Sequence, residues 1–271
     1  GTAVEEKIDY RLQVDMAGSP KICDLYFRYK PLNQLGMQLG QFKVPFAIEN
    51  ELCGPTTFEF IEYSYITTYF SRNNAKYDGI AATGRDIGFQ LYGSIFERDG
   101  YSILNYNVGV FNGSGINAKD HNSSKDFIAR VIVKPFKGFA VSGSYMYSET
   151  NFGGNRYFKS PRFAVGAWYE NGTWIGRAEY VHANFGEVCT DSFYALAGYN
   201  FRQQPWSVYA RYEFIEDNAA IMDSQRIQLG TAYKPFKFLR LQANLNYEIN
   251  DLAPEAYRNS LGFNLLVTAM F

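Results

Sequence analysis

Seven arginines, Arg11, Arg28, Arg130, Arg177, Arg211, Arg226 and Arg240, fall on the polar register of segments whose side chains alternate in polarity. Asp9, Asp15, Asp86, Glu179, Glu213 and Glu248 share that register, and Lys134 and Lys234 stand where two of the segments end. Guanidinium groups fixed on a water-lined wall attract anions and tune which ions pass. Arg177 with Glu179, and Arg211 with Glu213, are two residues apart on one face. They are able to pair, so a stiffening ladder of ions is the competing chemistry for each arginine. A second set of charges lies in the long segment 45–83. Glu49, Glu51, Glu59, Glu62 and Asp78 stand there against Arg72 and Lys76, with Arg85 just beyond. An acidic loop facing a basic wall sets up a transverse field that orients dipolar solutes.

Catalytic chemistry has little to work with. His121 and His182 are the only histidines, and no Gly-x-Ser-x-Gly motif is present, so both read as surface residues and no catalytic residue is assigned. Asp120 and Asn122 are spaced as calcium ligands can be, but the remaining ligands of a calcium loop are missing, which favours a hydrated turn. No metal or cofactor is expected. Cys23, Cys53 and Cys189 match no zinc spacing and allow at most one disulfide. Cys53 and Cys189 are expected in outer loops and Cys23 near the outer end of its strand.

The elements that position these charges are strands. Lys+Arg 26 against Asp+Glu 27 leaves a net charge of -1, with no electrostatic footprint for nucleic acid. Hydrophobic residues at 46% exclude a disordered chain. A mean hydropathy of -0.27 and the lack of a long uncharged apolar run exclude a helical membrane protein. Aromatics at 18% and Gly 24 against Pro 9 favour strands joined by tight turns. In the segment from Leu239, Leu239, Leu241, Ala243, Leu245 and Tyr247 alternate with Arg240, Gln242, Asn244, Asn246 and Glu248. This is the mark of a strand wet on one face only. The template recurs from near Lys7, Ile22, Leu35, Gly84, Tyr101, Asp126, Phe139, Pro161, Trp174, Asp191, Pro205, Ser224, Leu239 and Ser260, which makes fourteen strands of membrane-crossing length.

Tight turns such as Lys30-Pro31-Leu32-Asn33, Glu97-Arg98-Asp99-Gly100 and Lys234-Pro235-Phe236-Lys237 interleave with longer polar loops. Aromatics including Phe27, Tyr29, Trp174, Tyr180, Tyr199, Phe201, Tyr212 and Phe214 read as interfacial girdles. Lipid offers no partner to a free strand edge. The expected fold is therefore all-β, a closed antiparallel transmembrane β-barrel forming a single domain over 1–271. The N-terminal run Gly1-Thr2-Ala3-Val4-Glu5-Glu6 lacks a basic stretch followed by an apolar one, so any export signal is expected to have been removed.

Gly40-Gln41-Phe42-Lys43-Val44-Pro45-Phe46, Phe60-Ile61-Glu62, Gly84-Arg85-Asp86-Ile87-Gly88, Gly109 to Gly115 and Lys125-Asp126 occur in that order. In order and spacing they resemble the phosphate-selective porin O and P family, and the porins of Bacteroidetes above all. The resemblance runs from about Ile8 onward, and the C-terminal Phe271 matches the terminal aromatic of outer-membrane barrels. It implies a sixteen-stranded barrel whose long third outer loop folds into the lumen. Here the long loop follows the third legible strand, so either two N-terminal strands are missing or the barrel has fourteen.

The resemblance implies a bacterial outer-membrane channel for passive diffusion of small hydrophilic solutes and ions. Its partners would be outer-membrane lipid and lipopolysaccharide, with a homotrimer or membership of an envelope complex as the assembly. A mild anion preference is expected to rest on Arg130 and Arg211 among others. The acidic loop argues for a more general pore than the phosphate-selective members. A plugged barrel serving as a structural subunit is the alternative, and an outer-membrane phospholipase the third reading.

Overall fold

A computed structural model describes residues 1–3, 7–16, 19–54, 56–71, 84–119, 124–151 and 157–270. Fourteen long strands form one antiparallel sheet in which each pairs only with its neighbours in this order. They are β1 (Ile8–Asp15), β2 (Lys21–Leu32), β3 (Leu35–Lys43), β4 (Arg85–Arg98), β5 (Tyr101–Phe111), β6 (Asp126–Phe136) and β7 (Phe139–Tyr147). The series continues with β8 (Arg162–Glu170), β9 (Trp174–Phe185), β10 (Val188–Asn200), β11 (Trp206–Asp217), β12 (Asp223–Phe236), β13 (Leu239–Asn250) and β14 (Asn259–Ala269). A short segment, Thr2–Ala3, adds to the outer edge of β1 at Asp9 and Ile8. A small hairpin, Glu149–Asn151 with Tyr157–Lys159, belongs to the β7–β8 connection.

Alternation decides the two faces. Along β11, Tyr209, Arg211, Glu213 and Ile215 are buried while Trp206, Val208, Ala210 and Tyr212 are exposed. The exposed face is the oily one throughout: Leu12, Leu39, Val131, Phe163, Val208, Leu229 and Phe263 all stand outside. A soluble sheet would cover such a surface, whereas hydrocarbon is its natural solvent. Aromatic pairs ring the short-turn rim, with Trp174 and Tyr199 at 4.7 Å, Tyr199 and Phe201 at 5.0 Å and Trp206 and Tyr233 at 4.5 Å between centroids. Phe163 with Tyr180, and Phe193 with Phe214, form a second level toward the other rim.

Turn chemistry fixes register at the short-turn rim. Asp99 and Gly100 both have positive φ (48° and 79°), the pairing a type I′ hairpin needs. Lys30-Pro31, Lys134-Pro135 and Lys234-Pro235 each coincide with a register shift, between Tyr29 and Leu32, Val133 and Phe136, and Tyr233 and Phe236. Proline has no N–H to give the ladder, so the strand bulges there and turns Leu32, Phe136 and Phe236 outward. The expected alternation of turn lengths is only partial: Gly186 and Glu187 alone join β9 to β10 on the rim of the longer loops.

The sheet wraps round its own loop. The Tyr63 ring lies 5.9 Å from Lys43 Nζ of β3, and its carbonyl accepts a 2.9 Å hydrogen bond from Arg226 of β12. In a flat sheet those strands would stand roughly 43 Å apart, nine spacings of about 4.8 Å. One residue touches both only because the sheet curls. Among the described residues, however, no ladder joins β14 to β1 or to Thr2–Ala3, so the pairing does not complete the expected ring.

The three cysteines are free, Cys189 lying within β10 rather than in a loop. Arg72, Lys76, Asp78, Asp120, His121, Asn122 and Phe271 lie outside the described residues.

Candidate pore and its inward-folded loop

The chain leaves β3 at Val44 and enters the space inside the sheet. Phe46, Ile48, Phe60, Ile66 and Phe70 are fully buried there, packed on inward residues such as Val181, Ala183, Tyr194 and Ile215. Ala47 takes the left-handed φ of 61° that starts the turn into a one-turn helix, Ile48–Leu52. Two glycines in the wall make room for the loop. A Cβ on Gly166 would meet Ile48 Cδ1 at 2.7 Å, and one on Gly230 would meet Phe60 Cε1 at 3.0 Å.

Charged side chains clamp this segment to the β6–β14 wall. Arg177 holds Glu59 with two bonds of 3.0 and 3.1 Å. Arg211 reaches Glu49 at 3.3 Å, Glu213 at 3.5 Å and the carbonyl of Glu62 at 2.8 Å, and its guanidinium lies 4.7 Å from the Phe60 ring. Arg226 bonds Glu213 at 2.6 Å, Glu62 at 2.8 Å and the Tyr63 carbonyl. Arg240 donates to the carbonyl of Thr56 at 3.0 Å, and Arg130 pairs with Glu51. The wall's acids bind loop backbone instead: Glu179 accepts from Ile48 N–H and Glu213 from Tyr65 N–H at 2.7 Å. The buried carboxylates Glu49 and Glu59 and the backbone N–H groups of Ile48 and Tyr65 thus meet charged partners, as burial requires, while Asn50 Oδ1 and the Tyr65 hydroxyl are buried without a hydrogen bond.

Burial also moves the loop's own titrations. It pushes the Cys53 thiol up to about 12 against the opposing pull of Arg177. It likewise raises the Tyr65 phenol, with Arg226 opposing.

The expectation placed all seven arginines on a water-lined wall. The structure brings Arg130, Arg177, Arg211, Arg226 and Arg240 together against Glu49, Glu51, Glu59 and Glu62, all five arginines buried. Arg11 and Arg28 stand apart, with side chains 54% and 38% exposed. Both line a cavity of about 980 Å³ between the loop and β1–β4, which Lys43, Arg85, Asp15, Asp24 and Glu51 also border. Four basic groups meet three acidic ones on its wall. The clamp residues that sequence reasoning missed are Arg162, which donates to the Phe70 carbonyl at 2.8 Å, and Gln242 and Asn264, which bind Phe58 and Glu62. The polar alternation of β13 and β14 carried the latter two, without saying what they would meet.

His182 Nδ1 lies 2.9 Å from Asp191 on the outward face, where Tyr180 also donates to Asp191. Ser192 is turned inward, with its hydroxyl bonded to the Phe214 carbonyl.

No family model matches the chain, and no curated protein sequence is similar to it. Solved structures are. The outer-membrane channel DcaP of Acinetobacter baumannii shares 13% identity over 97% of this chain and 80% of its own, with a TM-score of 0.68. An anion-selective porin from Comamonas acidovorans shares 15% over 91% and 73%, with a TM-score of 0.65. OprB of Pseudomonas putida shares 11% over 92% and 73%, with a TM-score of 0.66. At these identities the likeness is one of fold, and the fold is that of the porins.

Proposed function

We propose that the chain is a bacterial outer-membrane channel through which small hydrophilic solutes and ions diffuse passively. One observation carries this: an oily exterior and a charged interior on fourteen curled strands, with a loop pinned to one side of the lumen and a charged cavity open on the other. The oily exterior fits the acyl chains of outer-membrane lipid and of lipopolysaccharide. The resemblance of the ordered motifs to phosphate-selective porins is in keeping with the same reading, and a homotrimer is the assembly it would bring with it. No step needs a nucleophile or a cofactor.

In lipid the sheet has to close. β14 runs opposite to β1, so the two can pair directly as a fourteen-stranded ring. Thr2–Ala3 already occupies part of that edge of β1, at Ile8 and Asp9. It runs the same way as β14. Keeping it there calls for one more strand running the way of β1, which gives the even count of sixteen.

The accessible charge of the cavity supports a mild anion preference. Glu51 is taken up by Arg130, Asp24 by Arg85 at 2.6 Å and Asp9 by Arg28 at 2.7 Å, which leaves Arg11, 3.3 Å from the shared Asp24 and 54% exposed, as the basic group in excess. Single-channel recording in a planar bilayer tests the proposal: ohmic steps are expected, with a reversal potential under a salt gradient that favours chloride. A second reading, a plugged structural subunit, draws on the dense packing of Phe46, Ile66 and Phe70 inside the sheet. Silence in the bilayer would select it.

A further inference from the structure

Between the loop and the first strands, the inner face of β2 presents Asp24, Tyr26 and Arg28 in succession, a charge, a ring and a charge. Asp24 serves two arginines at once, Arg85 at 2.6 Å and Arg11 at 3.3 Å. Two guanidinium groups against one carboxylate leave a net positive charge at that end. Arg11 turns Nε to Asp24 and one Nη to the Gln13 side-chain oxygen at 2.8 Å, and its side chain is still 54% exposed on the cavity. The Tyr26 ring is held edge-on by Phe42 at 6.2 Å and faces the Arg28 guanidinium at 5.2 Å, so its orientation is fixed from two sides. Tyr63 of the loop borders the same space.

The face thus sets a fixed ring next to the basic group in excess, since Arg11 and Tyr26 stand opposite each other in the β1–β2 ladder. We infer that this face is a subsite for solutes that carry one carboxylate on an apolar, above all aromatic, body. The carboxylate meets the Nη edge of Arg11, where it displaces only the neutral Gln13 side-chain oxygen in favour of a charge-assisted bond. The body lies against Tyr26, where an aromatic pair gains beyond plain burial. Chloride or acetate uses only the first half of the site. This deepens the channel reading and rests on it.

Block of the chloride current by added solutes tests the assignment without any variant. Benzoate is expected to halve the current at a concentration about three- to tenfold below that of acetate, the range an aromatic pair's extra contribution supplies. Benzylammonium, with the same ring and opposite charge, is expected to leave the current unchanged. Arg11→Gln should weaken block by both anions, and Tyr26→Leu should narrow the gap between them while leaving acetate as it was. Equal potency of benzoate and acetate, or block by benzylammonium as strong as by benzoate, overturns the subsite and leaves the channel standing. A bilayer without conductance steps overturns the channel reading itself.

Discussion

A guanidinium with no solvent contact, such as that of Arg211, is tolerable only because Glu49, Glu213 and a backbone carbonyl surround it. Removing one member of a buried ion cluster leaves the rest uncompensated, at a cost of about 3–5 kcal/mol. Arg211→Met is therefore expected to lower the stability of the detergent-solubilised protein by that amount, measured by denaturant unfolding. Arg11→Gln, at a half-exposed position, should shift it by no more than about 0.5 kcal/mol. Equal effects of the two substitutions would mean that the clamp contributes nothing. Cys53 offers a second check at this scale. The thiolate is the reactive form, and burial raises the thiol from 9.0 to about 12. At pH 8, maleimide labelling of Cys53 in the folded protein should run roughly a thousandfold slower than in the denatured chain, in line with a shift of about three decades. Comparable rates would place Cys53 outside the packed lumen.

Strands were legible because a sheet with one oily and one polar face repeats one simple instruction, and polarity with period two survives whatever each side chain meets. Their starts fall where alternation begins, the largest departure being β10, which starts at Val188 rather than Asp191. The Lys-Pro pairs marked the short-turn rim for an equally local reason, the missing N–H. What the arginines of β9 to β13 touch was not legible. The Arg177–Glu59 contact joins residues 118 positions apart and the Arg240–Thr56 contact joins residues 184 apart. No periodicity in either segment records that they meet. Alternation sorts a side chain to a face, and only the path of the intervening loop decides whether that face is wet or packed. Two predictions belong to the loop as an element. Gly166→Leu should drive Ile48 off the wall and lower stability by about 1–3 kcal/mol, the usual cost of overpacking. Unchanged thermal unfolding would show that Ile48 does not sit there. Deleting residues 49–76 should raise single-channel conductance, and an unchanged step size would put the loop outside the passage.

At the scale of the whole molecule the interior is lopsided. The loop is bonded to the inner faces of β6 to β14, which leaves the cavity beside β1–β4 as the passage of the proposed channel. In the proposed channel, ion preference would then rest on Arg11 and Arg28, and the buried arginines anchor the loop. Reversal potentials should accordingly move toward cations in the double variant Arg11→Gln, Arg28→Gln. Equal anion preference in parent and double variant would return selectivity to the clamp.

Addition of a charged, water-soluble thiol reagent during single-channel recording tests this layout most directly. Cys23, Cys53 and Cys189 are first changed to serine, and one cysteine is then placed at Arg28 or at Gln228. Arg28 lines the cavity by β2, whereas Gln228 is fully buried on the clamped wall beside Arg211. A stepwise change of current is expected on modification of Arg28→Cys and none for Gln228→Cys. A current that responds at Gln228→Cys and ignores Arg28→Cys would place the passage on the other side of the loop.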